Sequence, residues 1–191
     1  MDSKTSYCAG IFKAIGEPTR IRIIEELERG EMAVVDIWEK IEKEQSSTSH
    51  HLAIMFMNGI VESRRNGHRT LYNLKYKDQT LALVNSAKNS QVSNYTETLK
   101  ILGHLNRMKI VESLLDGEIY LTDLTRRVGG EKTNTAHHLA KMLGAGILET
   151  RLDPSRRALY KLANGDYVHA LVEFATKIVA LETIKRQVIF H

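Results

Sequence analysis

Thr48-Ser49-His50-His51-Leu52-Ala53-Ile54-Met55 stands 87 residues ahead of Thr135-Ala136-His137-His138-Leu139-Ala140-Lys141-Met142, the interval that carries His50 onto His137. Extended outward at that offset, Phe12 to Asn66 runs onto Leu99 to Asp153 without a gap. Lys13, Gly16, Arg20, Gly30, Glu31, Asp36, Gly59, Ile60, Glu62 and Arg64 are among the positions that meet an identical residue, and many others pair apolar with apolar. After one inserted residue, Arg69, Leu71, Tyr72 and Leu74 meet Arg157, Leu159, Tyr160 and Leu162. A fixed-offset repeat of this length marks two units of one fold in tandem.

Each unit reads as a series of short helices closed by a hairpin. In the first, Ile11 to Gly16 is helical, and Glu17-Pro18-Thr19 resets the chain, with proline near the start of the next helix. Ile21, Ile24 and Leu27 fall at helical spacing, and Gly30 closes that segment. Val34, Ile37, Trp38 and Ile41 form another apolar stripe. Ser46, Ser47, Thr48 and Ser49 offer N-cap chemistry for a third helix, which Gly59 stops. Ile60 to Ser63 and Thr70 to Leu74 alternate as strands around Asn66-Gly67, a hairpin signal. Helix, helix, turn, helix, hairpin is the order of a winged helix. The second unit repeats it, with a wing tip at Asp153-Pro154-Ser155.

The expected fold is therefore mainly α with small β-hairpin wings: two tandem winged helix-turn-helix domains forming an intramolecular pseudo-dimer. The division is 1–76, a linker helix within 77–94, and 95–191. The linker helix spans Asp78 to about Ser90, and a last helix runs from Asp166 to Phe190. That last helix is too apolar to stand alone in water, so the rest of the chain or another subunit must cover it.

Composition narrows the function. Net charge is +4, from 27 Lys+Arg against 23 Asp+Glu, a mild bias toward acidic partners. Ser63 to Lys77 holds no acidic residue but contains Arg64, Arg65, Arg69, Lys75 and Lys77. The single cysteine, Cys8, can form neither an internal disulfide nor a zinc cluster and reads as a core residue on a helix face. No membrane span or export signal is seen, which places the chain in the cytoplasm. No phosphate-cradling loop, nucleophile elbow or carboxylate pair is found, so no enzymatic activity and no cofactor are expected.

The third helix of each unit carries the functional reading. A recognition helix lies in the major groove with its N-terminal residues toward the base edges. At 100° per residue, Thr48, Leu52 and Met55 face inward, which leaves Gln45, Ser46, Ser47, Ser49 and His50 for bases and phosphates. The matching positions in the second unit are Lys132, Thr133, Asn134 and His137. Arg64, Arg65, His68 and Arg69 in the first wing, with Arg151, Arg156 and Arg157 in the second, are placed to reach phosphates or a narrow minor groove. Adjacent histidines on a helix point too far apart to chelate one ion. One of each pair is expected to face DNA and the other to pack under the wing.

These segments resemble the ArsR-type winged-helix repressors: Phe12 to Arg20, Gln45 to Leu52, Asn58 to Val61, and the Arg-rich hairpin ending Leu71-Tyr72. The likeness covers both units. It implies a transcription regulator that binds double-stranded DNA and blocks an operator. It also implies dimer contacts through first and last helices, here made within one chain in place of a homodimer. Metal-sensing members carry Cys-x-Cys before the turn, where this chain has Ala33 and Val35, and Tyr120 and Thr122. Those residues cannot ligate a soft metal, so no metal site is expected. Because the two recognition helices differ, the operator should have two unlike half-sites. The competing reading is a tandem winged-helix scaffold that binds proteins.

Overall fold

The computed structural model describes residues 2–89 and 94–189. The first unit comprises α1 (Asp2–Ile15), α2 (Pro18–Leu27), β1 (Met32–Ala33), α3 (Val34–Ile41), α4 (Gln45–Met57), β2 (Val61–Asn66) and β3 (Arg69–Leu74), followed by α5 (Lys77–Lys88). The second comprises α6 (Tyr95–Leu102), α7 (Leu105–Leu114), β4 (Ile119–Tyr120), α8 (Leu121–Val128), α9 (Lys132–Gly144), β5 (Leu148–Leu152) and β6 (Ala158–Leu162), followed by α10 (Gly165–Ile189). Ser90 and Phe190, where the sequence reading ends two helices, lie outside the described residues.

Local chemistry explains some of the boundaries. Glu17 sits extended ahead of Pro18, and its carboxylate accepts from the Arg20 amide at 3.2 Å, capping α2. The turn between α3 and α4 requires a left-handed residue, which is Glu42 (φ 53) in one unit and Gly129 (φ 72) in the other. The N-cap of α4 differs from expectation. Ser46 to Ser49 lie inside the helix, Glu44 occupies the cap position without a side-chain bond, and Thr48 Oγ1 donates back to the Glu44 carbonyl at 3.0 Å. Glu44, Gln45 and Ser46 are exposed, so water can serve the open amides of this turn.

Each wing belongs to a three-stranded antiparallel sheet, β1-β3-β2 and β4-β6-β5. The edge strands β1 and β4 go beyond the hairpins expected from sequence; two-residue strands are too short for a period to show. In the first wing Asn66 pairs with Arg69, so the loop is Gly67-His68, one residue later than expected, with Gly67 at φ 60.

The two units share one hydrophobic core. Helix α1 packs on α6, α7 and α10, while α5 packs on α10 and α6. Like therefore meets like, since α1 and α6 open their units and α5 and α10 close them. Gly16 and Gly103, equivalent positions, show this most sharply. A Cβ on Gly16 would lie 2.8 Å from the Lys100 amide nitrogen, and one on Gly103 would lie 2.8 Å from the Cα of Lys13, the equivalent of Lys100. Such reciprocal contact is what a twofold relation between copies produces. The apolar stripe of α10 (Val168, Leu171, Val172, Ala175, Ile178) is buried within the chain. Cys8 is fully buried, its sulfur 3.9 Å from Thr176 Oγ1 on α10. Burial pushes its thiol up from its ordinary value.

Candidate nucleic-acid interface

Helices α4 and α9 present matching faces. Thr48, Leu52 and Met55 are buried on α4, as are Thr135, His138, Leu139 and Met142 on α9. Gln45, Ser46, Ser49 and His50 are exposed, and Ser47 is half-buried. Lys132, Thr133, Asn134 and His137 are exposed on α9. Each recognition helix thus has an open N-terminal polar face, small on α4 and carrying a cation on α9. At the far end of α4, Phe56 and Met57 are exposed to 52% and 73%. They flank a cleft of about 340 Å³ that α10 also lines through Ile178 and Glu182.

The second histidine of each pair packs somewhere other than expected. It lies against the start of the preceding long helix, α2 or α7, rather than under the wing. Arg20 Nη1 donates to His51 Nδ1 at 3.3 Å, and Glu17 Oε2 stands 3.7 Å from the same nitrogen. Arg20 also donates to the carbonyls of Ala14 and, at 2.9 Å, Lys13, so one guanidinium joins α1, α2 and α4. Arg107 repeats the device with the carbonyls of Ile101 (2.7 Å) and Lys100 (3.4 Å). A helix pitch places the histidine inward but does not say which neighbour it meets.

In the wings the arginines divide into two groups. Arg64 grips Glu31 with both faces of its fork, Nε to Oε2 at 2.8 Å and Nη2 to Oε1. Arg151 does the same to Glu118, with Nε to Oε1 at 3.0 Å. Because Ala33, Leu71 and Arg64 are in register, the Arg64 side chain crosses β3 to reach the start of β1. The clasp therefore ties the wing to the strand that leads into α3. These hydrogen bonds lower the pKa of each glutamate and raise that of each arginine. Arg157 is held by Asp153, Nε to Oδ2 at 2.9 Å, and its guanidinium carbon lies 4.4 Å from the centre of the Tyr120 ring. Asp153 also accepts from the Arg157 amide at 2.8 Å and from Tyr120 Oη at 2.9 Å. The backbone hydrogen bond is the largest of the influences that bring its pKa down to about 2. Arg65, His68, Arg69 and Arg156 are exposed, with no side-chain partner among the described residues. Arg156 sits at the second wing tip with φ 60.

Among the described residues no group of three or more His, Cys, Asp or Glu side chains is arranged to hold a metal, and no helix is long and apolar enough to cross a membrane. The clasp acids Glu31 and Glu118 and the buried Asp153 were missed by sequence reasoning. The one available signal was that Glu31 and Arg64 are both identical between units at a constant separation.

Two winged helix-turn-helix domains with open recognition helices and cationic wings define a DNA-binding protein. The family model for bacterial regulatory proteins of the arsR family matches residues 17–63 and 105–150. An uncharacterized HTH-type transcriptional regulator of Methanocaldococcus jannaschii is 43% identical over 70 residues, 36% of this chain and 79% of that protein. The arsenical resistance operon repressor of Staphylococcus xylosus is 30% identical over 82 residues, 40% of this chain and 79% of that protein. A homodimeric winged helix-turn-helix DNA-binding domain from Mycobacterium bovis is 28% identical with a TM-score of 0.42, covering 46% of this chain and 82% of that one. The chain belongs to the arsR family of transcriptional regulators, with the family's fold present twice.

Proposed function

We propose that this chain is a repressor that occludes an operator as a dimer made within one polypeptide. The units 1–76 and 95–191, joined through the helix in 77–94, take the place of two subunits. The observation that carries this reading is the reciprocal approach of Gly16 to Lys100 and of Gly103 to Lys13. Covalent linkage makes the second half-site encounter intramolecular, so binding should not weaken on dilution as a dissociating homodimer's would.

Gln45, Ser46, Ser47, Ser49 and His50 read one half-site, and Lys132, Thr133, Asn134 and His137 read the other. Their different chemistry calls for unlike half-sites about one helical turn apart, roughly 34 Å. Arg65, His68, Arg69 and Arg156 take the phosphate contacts in the wings, because their charge is not already neutralised by a carboxylate. Arg64, Arg151 and Arg157 lie beside the same groove and hold the wings in place while bound to their acids.

Selection from random duplex DNA followed by footprinting tests the reading. The expected result is one site with two dissimilar halves, both protected by a single chain. A symmetric palindrome occupied by two chains would overturn it. The exposure of Phe56 and Met57 favours a second reading, a protein-binding scaffold. That reading predicts little affinity for duplex DNA at any salt concentration, whereas a regulator loses affinity steeply as salt rises.

A further inference from the structure

The two units differ beneath the recognition helices. Where the first has Glu17 against His51, the second has His104 against His138. The rings of His104 and His138 lie 4.7 Å apart, centre to centre, tilted by 49°. His138 is only 6% exposed, its Nε2 is 3.5 Å from Asn106 Nδ2, and its Nδ1 is buried without a hydrogen-bond partner.

We propose that the His104–His138 pair is a proton-operated lock on the second recognition helix: acid loosens α9 from α7 and withdraws it from DNA more than it loosens α4. The proposal rests on the reading that α9 contacts DNA, and it adds a regulation weighted to that half.

Every charged neighbour works in one direction. Burial holds His138 below its ordinary value, and His104, Arg107, His137 and Lys141 all push it further down. His104 is depressed by burial, Arg107 and Lys141. The acids on the other elements packed against α9 are engaged elsewhere: Asp123 of α8 with Arg126 at 3.2 Å, and Glu149 of β5 with Lys161 at 3.1 Å. Glu97 of α6 acts on Arg107. A proton arriving on this pair therefore meets cations and a buried N–H without an acceptor. In the first unit burial, Arg20, His50 and Lys43 also depress His51, but Glu17 opposes them and can pair with the imidazolium.

The sign follows from linkage. A base depressed in the folded state contributes stability that is present above its unfolded pKa, about 6.5, and lost as pH falls through the folded value. The expected loss thus begins below about pH 6.5. Ordinary electrostatics predicts the reverse for DNA affinity, because histidine protonation adds positive charge.

Hydrogen exchange on the full chain without DNA, at pH 7.5 and 5.5 and corrected for the intrinsic pH dependence of exchange, reads the lock directly. Protection of α9 should fall about three- to tenfold more than that of α4. His104→Glu, which writes the first unit's pair into the second, should abolish the difference. Glu17→His should deepen the acid-induced loss in α4, and it keeps the idea testable if the first variant folds poorly. Equal changes in both helices, or no response to either folded variant, would overturn the proposal. A parallel footprint at the two pH values should lose the α9 half-site first. If exchange shows the lock but no footprint forms at any pH, the DNA reading fails and the lock stands.

Discussion

Gly103→Ala puts the pairing of the two units under direct test. Gly103 has no positive φ, so alanine fits its backbone, and in open space it would stabilise by about 0.4–1 kcal/mol through the unfolded chain. The space is not open. The new methyl would stand 2.8 Å from both the Cα and the amide nitrogen of Lys13 and 3.1 Å from its Cβ, all on α1 of the other unit. Comfortable carbon contacts are about 3.5–4.0 Å. Backbone cannot swing aside, so α1 and α6 must move apart by the better part of an ångström. Overpacking of this kind costs about 1–3 kcal/mol, which outweighs the entropic gain. At about 2–4 °C per kcal/mol for a chain of this size, Tm should fall by several degrees. Gly144→Ala is the control, since its Cβ would meet nothing within 4 Å, and it should raise Tm slightly. Circular-dichroism melts of both variants decide the matter. If Gly103→Ala stabilises as Gly144→Ala does, the units do not touch here and the dimer-in-one-chain reasoning is wrong.

The wings and the turn give further expectations. Arg65→Gln and Arg69→Gln should each flatten the log–log salt dependence of duplex affinity by about 0.9, the share of one phosphate contact. Arg64→Gln should leave that slope nearly unchanged while loosening the wing, which exchange at β2 and β3 amides would report; a full-sized slope change would contradict the clasp. Glu42→Gly should raise stability by about 0.5–1 kcal/mol in urea melts, because relief of a left-handed side chain exceeds the added chain entropy. Gly129→Ala at the equivalent turn should cost about 1–2 kcal/mol. The Asp153 carboxyl should titrate near pH 2 by NMR. Its depressed pKa means that the wing-tip stabilisation is complete above its unfolded value of about 3.9 and is lost as pH falls through about 2, so a midpoint near 4 would refute the contacts drawn for it.

Much of the fold was legible because burial writes a period into the chain. Ile21, Ile24 and Leu27, or Thr48, Leu52 and Met55, recur at helical spacing, and the repeat doubles the signal. What stayed hidden depends on partners far apart in sequence. Nothing local distinguishes Arg64, bound to Glu31, from Arg65, which has no such partner; their alternation across the strand sends them to opposite faces, and only the register of three strands shows which one meets the acid. His51 and His138 were legible as inward-facing residues, but not their neighbours Glu17 and His104. The close approach at Gly16 and Gly103 was invisible for a related reason, since a glycine opposite another backbone and a glycine in a loose turn look alike in a sequence.

Fusion changes what a substitution can do. In a symmetric homodimer each change acts twice, so an acid-sensitive pair beneath one recognition helix would appear beneath both. Here Glu17 and His104, Glu42 and Gly129, and Ala33 and Tyr120 occupy equivalent places with different chemistry. The first difference separates the proton response of the halves, the second their turn strain, and the third their wing anchoring, since Tyr120 supplies the hydroxyl and ring that hold Asp153 and Arg157. Residues that set the relation between units have not diverged: Gly16 and Gly103, Lys13 and Lys100, Arg20 and Arg107. Each of these serves packing between or beneath the paired helices, where altering one side would shift both recognition helices at once. That contrast leads to a physical expectation for any further change: substitutions at the α1–α6 contact should alter affinity for both half-sites together, while those in a wing or beneath a recognition helix should alter one alone.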